Sequence, residues 1–180
     1  ATASADSTIK IWDAKDFSLL KTISTKDRNL SVSWSPADSF LVAGGSSGII
    51  QIYETKSYKF VEGLISSESS IYDARFFRSN KMIISASNDG HLKLELRGTG
   101  KVGMDIAMDV PLRKIVLDEQ QSAFAVHGAN GQADIVLVPS MEPYGSLMVP
   151  KTSLFDKFKF VSEIDINSKK ALLAYADNVG

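Results

Sequence analysis

Four short stretches of this sequence share one shape at one interval. "ADSTIKIWD" (5–13), "SSGIIQIYE" (46–54), "NDGHLKLEL" (88–96) and "NGQADIVLV" (130–138) each set a small polar turn before an alternating or apolar run. The equivalent turn positions are Ser7, Gly48, Gly90 and Gly131, separated by 41, 42 and 41 residues. A fifth copy, "LLAYADNVG", puts Gly180 in the same place 49 residues further on. A period of this length constrains the fold more than any composition does. Each unit is one supersecondary element that cannot bury its apolar face alone, so neighbours must stack.

A second landmark tests that alignment. Fourteen residues before each later turn glycine stands an apolar residue: Trp34, Phe76, Leu117 and Ile166. After each comes a short polar turn ("SPADS", "FRSNK", "DEQQS", "NSKK") and then a second apolar run ("FLVAGG", "MIISAS", "AFAVHG", "LLAYA"). Each unit therefore reads as four short strands; in the second copy they fall at 30–35, 40–44, 49–54 and 57–64. The β-branched and aromatic runs and the alternation in "TIKIW" and "IIQIY" are strand signals. Ser-Gly, Asp-Gly and Asn-Gly supply the positive φ that tight hairpins need. No stretch carries a sustained helical period with caps. The expected class is all-β, built from four-stranded antiparallel sheets.

These residues carry a resemblance. "SADSTIKIWD" (4–13) resembles the end of a WD40 repeat, with Trp12-Asp13 as the signature dipeptide, and "LSVSWSPADSFLVAGGSSG" (30–48) resembles the start and middle of the next. The resemblance is strong over 1–96 and weaker beyond. It implies a WD40-type β-propeller, here in part: about four blades, in units of about 1–29, 30–69, 70–110, 111–157 and 158–180, with the first and last incomplete. A seven-bladed disc would need roughly 290 residues, so the resemblance implies further blades outside this segment. Ser4, Asp6 and Trp12 match three of the family's four hydrogen-bonding positions, with the histidine unfilled. Trp34, Gly48, Tyr53, Asp89, Gly90 and Gly131 are the other structural positions of the repeat. The signature dipeptide decays to Tyr53-Glu54, Glu95-Leu96 and Val136-Leu137, and no copy has the Gly-His pair that often precedes the first strand.

One motif argues for different chemistry. "RGTGKVG" (97–103) reads G-x-G-x-x-G through Gly98, Gly100 and Gly103. A dinucleotide cradle needs a helix opening after such glycines and then a parallel strand. Here "KVGMDIAMDVP" follows, short and ended by Pro111. A P-loop fails too, because Glu95 stands where its first glycine belongs and Val102 follows Lys101. In the repeat register Gly98–Lys101 aligns with Lys15–Ser18 and Lys56–Lys59, the hairpin between third and fourth strands. The glycines are expected to make a turn.

Nothing else nominates a catalytic or metal site. His91 and His127 fall in different units without ligand spacing. Asp105 and Asp109 flank the end of a fourth strand, and no Gly-x-Ser-x-Gly elbow occurs. There is no cysteine. Asn29-Leu30-Ser31 fits the glycosylation pattern, a match common by chance. Lys+Arg of 20 against Asp+Glu of 21 gives no general pull toward nucleic acid or anionic membrane. The expectation is a non-enzyme with no cofactor, no metal, no small-molecule substrate and no membrane partner.

One length difference stands out. From third-strand landmark to the next first-strand landmark the gaps are 22, 23 and 22, but from Val136 to Ile166 the gap is 30. The extra residues lie in "VPKTSLFDKF" (149–158), and "MEPYGSLMVP" (141–150) before it reads as a fourth strand. Lys151, Leu154, Phe155, Lys157 and Phe158 give that segment the apolar-plus-charged mix of a binding loop; a loop folded back over the propeller edge is the alternative. The dissimilar connections "TKDRNL", "SSESS" and "MDVPLR" suit an asymmetric face. The expected function is a scaffold binding proteins or peptides within a larger intracellular complex, cytoplasmic or nuclear. The alternative is a subunit of a ribonucleoprotein assembly of the ribosome-maturation type, with RNA contacts through local Lys/Arg clusters.

Overall fold

The structure, a computed structural model, describes residues 1–117, 121, 123–129, 133–137, 161–167 and 172–177, with side-chain surroundings over 1–117, at 121 and over 124–129. All regular structure among them is β. The strands are β1 (Thr2–Ala3), β2 (Thr8–Trp12), β3 (Leu19–Ser24), β4 (Asn29–Trp34), β5 (Phe40–Gly45), β6 (Ile49–Glu54), β7 (Phe60–Ile65) and β8 (Ile71–Phe77). They continue as β9 (Ser79–Ser87), β10 (His91–Leu96), β11 (Lys101–Ala107), β12 (Leu112–Leu117), β13 (Ala123–Gly128), β14 (Ala133–Leu137), β15 (Val161–Asn167) and β16 (Leu172–Asp177).

Every pairing is antiparallel between chain neighbours. β4–β7 and β8–β11 form complete four-stranded sheets; β1–β3, β12–β14 and β15–β16 are the described parts of three more. The first strands β4, β8, β12 and β15 pack successively against one another, so they are the inner strands, and the fourth strands β3, β7 and β11 lie outside. The second unit thus shows the four strands read from its sequence, within a few residues.

Apolar faces meet between consecutive sheets. Ile9, Ile11 and Ile23 meet Leu41, Ala43 and Tyr53. Val42, Ile50, Ile52 and Leu64 meet Ile71, Ala74, Phe76 and Ile83. Ile84, Leu92 and Leu94 meet Leu112, Ile115 and Val126, and Phe77 sets its edge against Phe124 with ring centroids 6.2 Å apart. Because strand side chains alternate between faces, each sheet serves two seams: Ile83 faces the second sheet and Ile84 the fourth. Burying both faces is what binds the repeat together.

The turns repeat as regularly as the strands. Ser7, Gly48 and Gly90 have φ of 65°, 79° and 86°, as their shared place before the third strand predicts. Phe17, Tyr58 and Gly100 follow suit between third and fourth strands, at 58°, 54° and 63°. Gly98 (φ 77°) and Gly100 therefore belong to a turn that sister units build with aromatic residues, and a Cβ added at either would touch nothing within 4 Å. Gly103 is the extra residue of a β-bulge, where Glu95 pairs with Val102 and Leu94 with Met104. Leu20 and Val61 hold the same bulge position in the outer strands β3 and β7. The G-x-G-x-x-G pattern is a hairpin and a bulge.

That hairpin also clamps two sheets. Arg97 lays its guanidinium 3.9 Å from the Phe40 ring centroid, and its Nε donates to Glu62 Oε2 at 2.9 Å. Gly98 N donates to the other Glu62 oxygen at 2.7 Å. Phe40 and Glu62 belong to the second sheet and Arg97 to the third.

Two sequence expectations shift. β9 begins at Ser79, so Asn80 and Lys81 of "FRSNK" lie in the strand; Arg78 alone turns the chain, at φ 57°. Trp34 and Phe76 are not equivalent in burial: Phe76 is 2% exposed, whereas Trp34, at the end of β4, is 39% exposed.

Candidate partner-binding face

Two sets of turns share one face. The connections between sheets (25–28, 66–70 and 108–111) hydrogen-bond to the turns between second and third strands (4–7, 46–48 and 88–90). Thr25 N donates to Ser7 O at 2.8 Å, Ser66 N to Gly48 O at 3.1 Å and Met108 N to Gly90 O at 2.8 Å. In return Ser46 N donates to Arg28 O at 3.0 Å and Asn88 N to Ser70 O at 2.8 Å. Backbone groups that would otherwise need water are satisfied, and the loops form a connected rim.

Carboxylates lock that rim, and they trade places between units. Asp27, on a connection, accepts from Ser46 Oγ at 2.8 Å, Ser47 N at 3.0 Å and Ser47 Oγ at 2.6 Å. In the next unit the carboxylate stands on the turn: Asp89 accepts from Ser67 Oγ of the connection at 2.6 Å and from Ser87 Oγ. Partial burial raises both carboxyl pKa values, but these hydrogen bonds outweigh it and hold them below the usual range.

Beneath the rim, the inner strands share a bulge. Asn29 pairs with Gly45 and Ser31 with Gly44, leaving Leu30 extra. Tyr72 is extra between Ile71 and Asp73, Arg113 between Leu112 and Lys114, and Ser162 between Val161 and Glu163. A bulge re-aims its extra residue and recurs where sheets carry function. Here it sits at the loop end of each inner strand, at the mouth of the face. Leu30 is 36% exposed, and the Arg113 guanidinium stacks 3.8 Å from the Tyr72 ring centroid. An apolar side chain, an aromatic ring and a cation are thus set in a row. Lys26, Arg28, Glu68 and Asp109 are exposed around them.

The structural residues expected from sequence have mostly local duties. Ser4 Oγ accepts from Asp6 N at 3.3 Å, and Asp6 Oδ1 accepts from Thr8 N at 2.9 Å, closing the first turn. Asp13 Oδ1 accepts from Lys15 N at 2.8 Å. Trp12 Nε1 donates to Thr2 Oγ1 at 3.0 Å, so its partner is Thr2 and not Ser4. Tyr53 donates its hydroxyl to Gln51 Oε1 at 2.7 Å, and burial pushes its pKa to about 12. Asn29, inside the glycosylation pattern, is 2% exposed and donates to Thr25 Oγ1 at 2.8 Å. Asp105 lies within β11 and bonds His91 Nδ1 at 2.6 Å. Gly131, the strand expected over 141–150, and Lys151, Leu154, Phe155, Lys157 and Phe158 lie outside the described residues.

Nothing in the residue types of Leu30, Tyr72 or Arg113 marks them in the sequence. Their spacing, 42 and then 41 residues, is the repeat period, so the register contained the signal. A bulge leaves no other mark in an alternating pattern.

The WD40 family (WD domain, G-beta repeat) matches residues 17–54 and 59–94. Over those two segments the chain is similar to WD40 repeats. The two matched segments each span the outer strand of one sheet through the third strand of the next. Serine-threonine kinase receptor-associated protein of Gallus gallus is 26% identical over 197 aligned residues, covering 100% of this chain and 55% of that protein. The chain therefore spans about half the length of this curated relative.

Proposed function

We propose that this chain is a non-catalytic scaffold that binds proteins or peptides through its loop face, as a subunit of a larger intracellular complex. The observation that carries the reading is the row of bulged residues Leu30, Tyr72 and Arg113, presented at the mouth of a hydrogen-bonded rim. Three chemically different side chains, fixed by backbone geometry rather than by loop conformation, suit recognition of a specific surface at small entropic cost. Aromatic residues and arginine are the types that dominate binding energy at protein interfaces. The Gallus gallus relative supports the same reading, since its name describes association with a receptor. The segment 149–158, with Lys151, Leu154, Phe155, Lys157 and Phe158, is proposed as a further contact on this face.

The test is recovery of the native full-length protein under gentle salt, with and without nuclease, and identification of what accompanies it by mass spectrometry. Protein partners that persist through nuclease are expected. Partners that vanish with nuclease would replace this reading with a ribonucleoprotein subunit, and RNA binding would then fall steeply with salt.

A further inference from the structure

Position 95 is equivalent to Trp12 and Tyr53 of the two preceding units, and in each unit it anchors a polar contact. The indole of Trp12 reaches Thr2 and the phenol of Tyr53 reaches Gln51. In the third unit the anchor is a carboxyl group. Glu95 is 4% exposed, and it accepts from Ser66 Oγ, which lies 3.0 Å from Ser85 Oγ. Ser66 opens the connection 66–70: its N–H donates to Gly48 O at 3.1 Å, and its carbonyl accepts from Lys93 Nζ at 2.6 Å. The carboxyl group, the connection and the two sheets on either side of the seam meet at one point.

The charges around it are few. Lys93 shares β10 with Glu95, and its ammonium favours the ionised form. Asp105 of β11, 3.9 Å from Lys93 Nζ and bonded to His91, opposes ionisation. Glu62 of β7 is paired with Arg97, and Glu68 of the connection is exposed. β9 contributes only the neutral Ser85 to the contact. Burial outweighs the Ser66 hydrogen bond and Lys93, and it holds the Glu95 carboxyl above the usual range.

We infer that Glu95 is a proton-controlled latch on the connection 66–70: with the carboxyl neutral the connection stays docked on the loop face, and ionisation loosens it. The closed seam binds the proton more tightly than an opened one. Opening is therefore least favourable below the ordinary glutamate range, grows as pH rises through the raised pKa of the closed state, and levels off above it. One proton allows a change of up to about tenfold per pH unit. The consequence for partners rests on the proposed function of this face, but the latch itself needs no partner to be seen.

Hydrogen exchange of the full-length protein from pH 4.5 to 8 reads the latch directly. The amides of Ser66 and Ser67, both donated to Gly48 O, and of Asn88, donated to Ser70 O, report the docked connection. Their protection factors are expected to fall at least about fivefold across this range, within the one-proton limit. Thr25, on the preceding connection, and Asn29, the first residue of β4, should hold constant. In Glu95→Gln, which keeps the acceptor without the charge, all five should be flat. A Glu95 carboxyl that titrates by carbon-13 NMR at the ordinary glutamate value would overturn the latch without any variant. So would pH-independent protection in the wild type, or the same fall in Glu95→Gln.

Discussion

Gly48→Ala is expected to destabilise the protein by about 3 kcal/mol or more, combining backbone strain with a forced steric displacement. A Cβ at this position would come within 2.0 Å of Ser67 O and 2.9 Å of Ser69 O, both backbone atoms of the connection 66–70. Positive φ alone does not account for the size, since Ser7 takes the same conformation at φ 65° in the first unit. The decisive term is the approach of the connection, which accepts no side chain there. Gly98→Ala isolates the difference. Its φ of 77° is nearly that of Gly48, but nothing lies within 4 Å of its added Cβ. Its cost should be the conformational part only, about 1 kcal/mol. Urea unfolding of both variants beside wild type measures the gap. Equal losses would mean that the connection is not seated on Gly48.

Asp73→Ala should cost about 3 kcal/mol, chiefly through the buried N–H of Ile115 that it strands. Asp73 is 5% exposed on the inner strand β8. Its Oδ2 accepts from Arg75 Nε at 3.0 Å and from Ile115 N at 3.0 Å, the latter on β12 of the next sheet. Truncation would leave a buried N–H on the fourth sheet without this acceptor and Arg75 without its carboxylate. Asp73→Asn keeps an acceptor and loses only the charge, so about half the penalty should return. The same denaturant series decides it. If Asp73→Ala unfolds at the wild-type midpoint, the third and fourth sheets are not joined through this residue.

The architecture was legible because its signals are local and periodic. Turn residues at Ser7, Gly48 and Gly90 each need positive φ, and any sequence that repeats such a turn displays it at fixed spacing. Gly98 and Gly100 were assignable for the same reason: register placed them in the turn that Phe17 and Tyr58 also make, whereas Gly103 falls past that turn, in β11. Pairings across strands were less legible. Ser4 stood in the family-like position, yet the indole of Trp12 reaches Thr2, because β1 pairs Thr2 with Lys10 and so brings it alongside. Glu95 was visible only as a departure from an aromatic position. Its meaning depends on Ser66, 29 residues earlier, meeting it across a seam. The bulged row of Leu30, Tyr72 and Arg113 was hidden because an extra residue shifts the register without altering the strand's composition.

Under the proposed function, partners engage the loop face and not the opposite one. The deciding measurement is the Kd of a nuclease-resistant protein partner for three forms of the full-length protein. These are the wild type, Tyr72→Ala with Arg113→Ala on the loop face, and Lys56→Glu with Thr99→Glu on the turns of the other face. The loop-face pair is expected to weaken binding by about a hundredfold, as loss of an aromatic and an arginine anchor does at interfaces. The opposite-face pair should leave Kd within about twofold, as surface changes remote from a contact do. Weakening by the opposite-face pair, with the loop-face pair unchanged, would contradict the account.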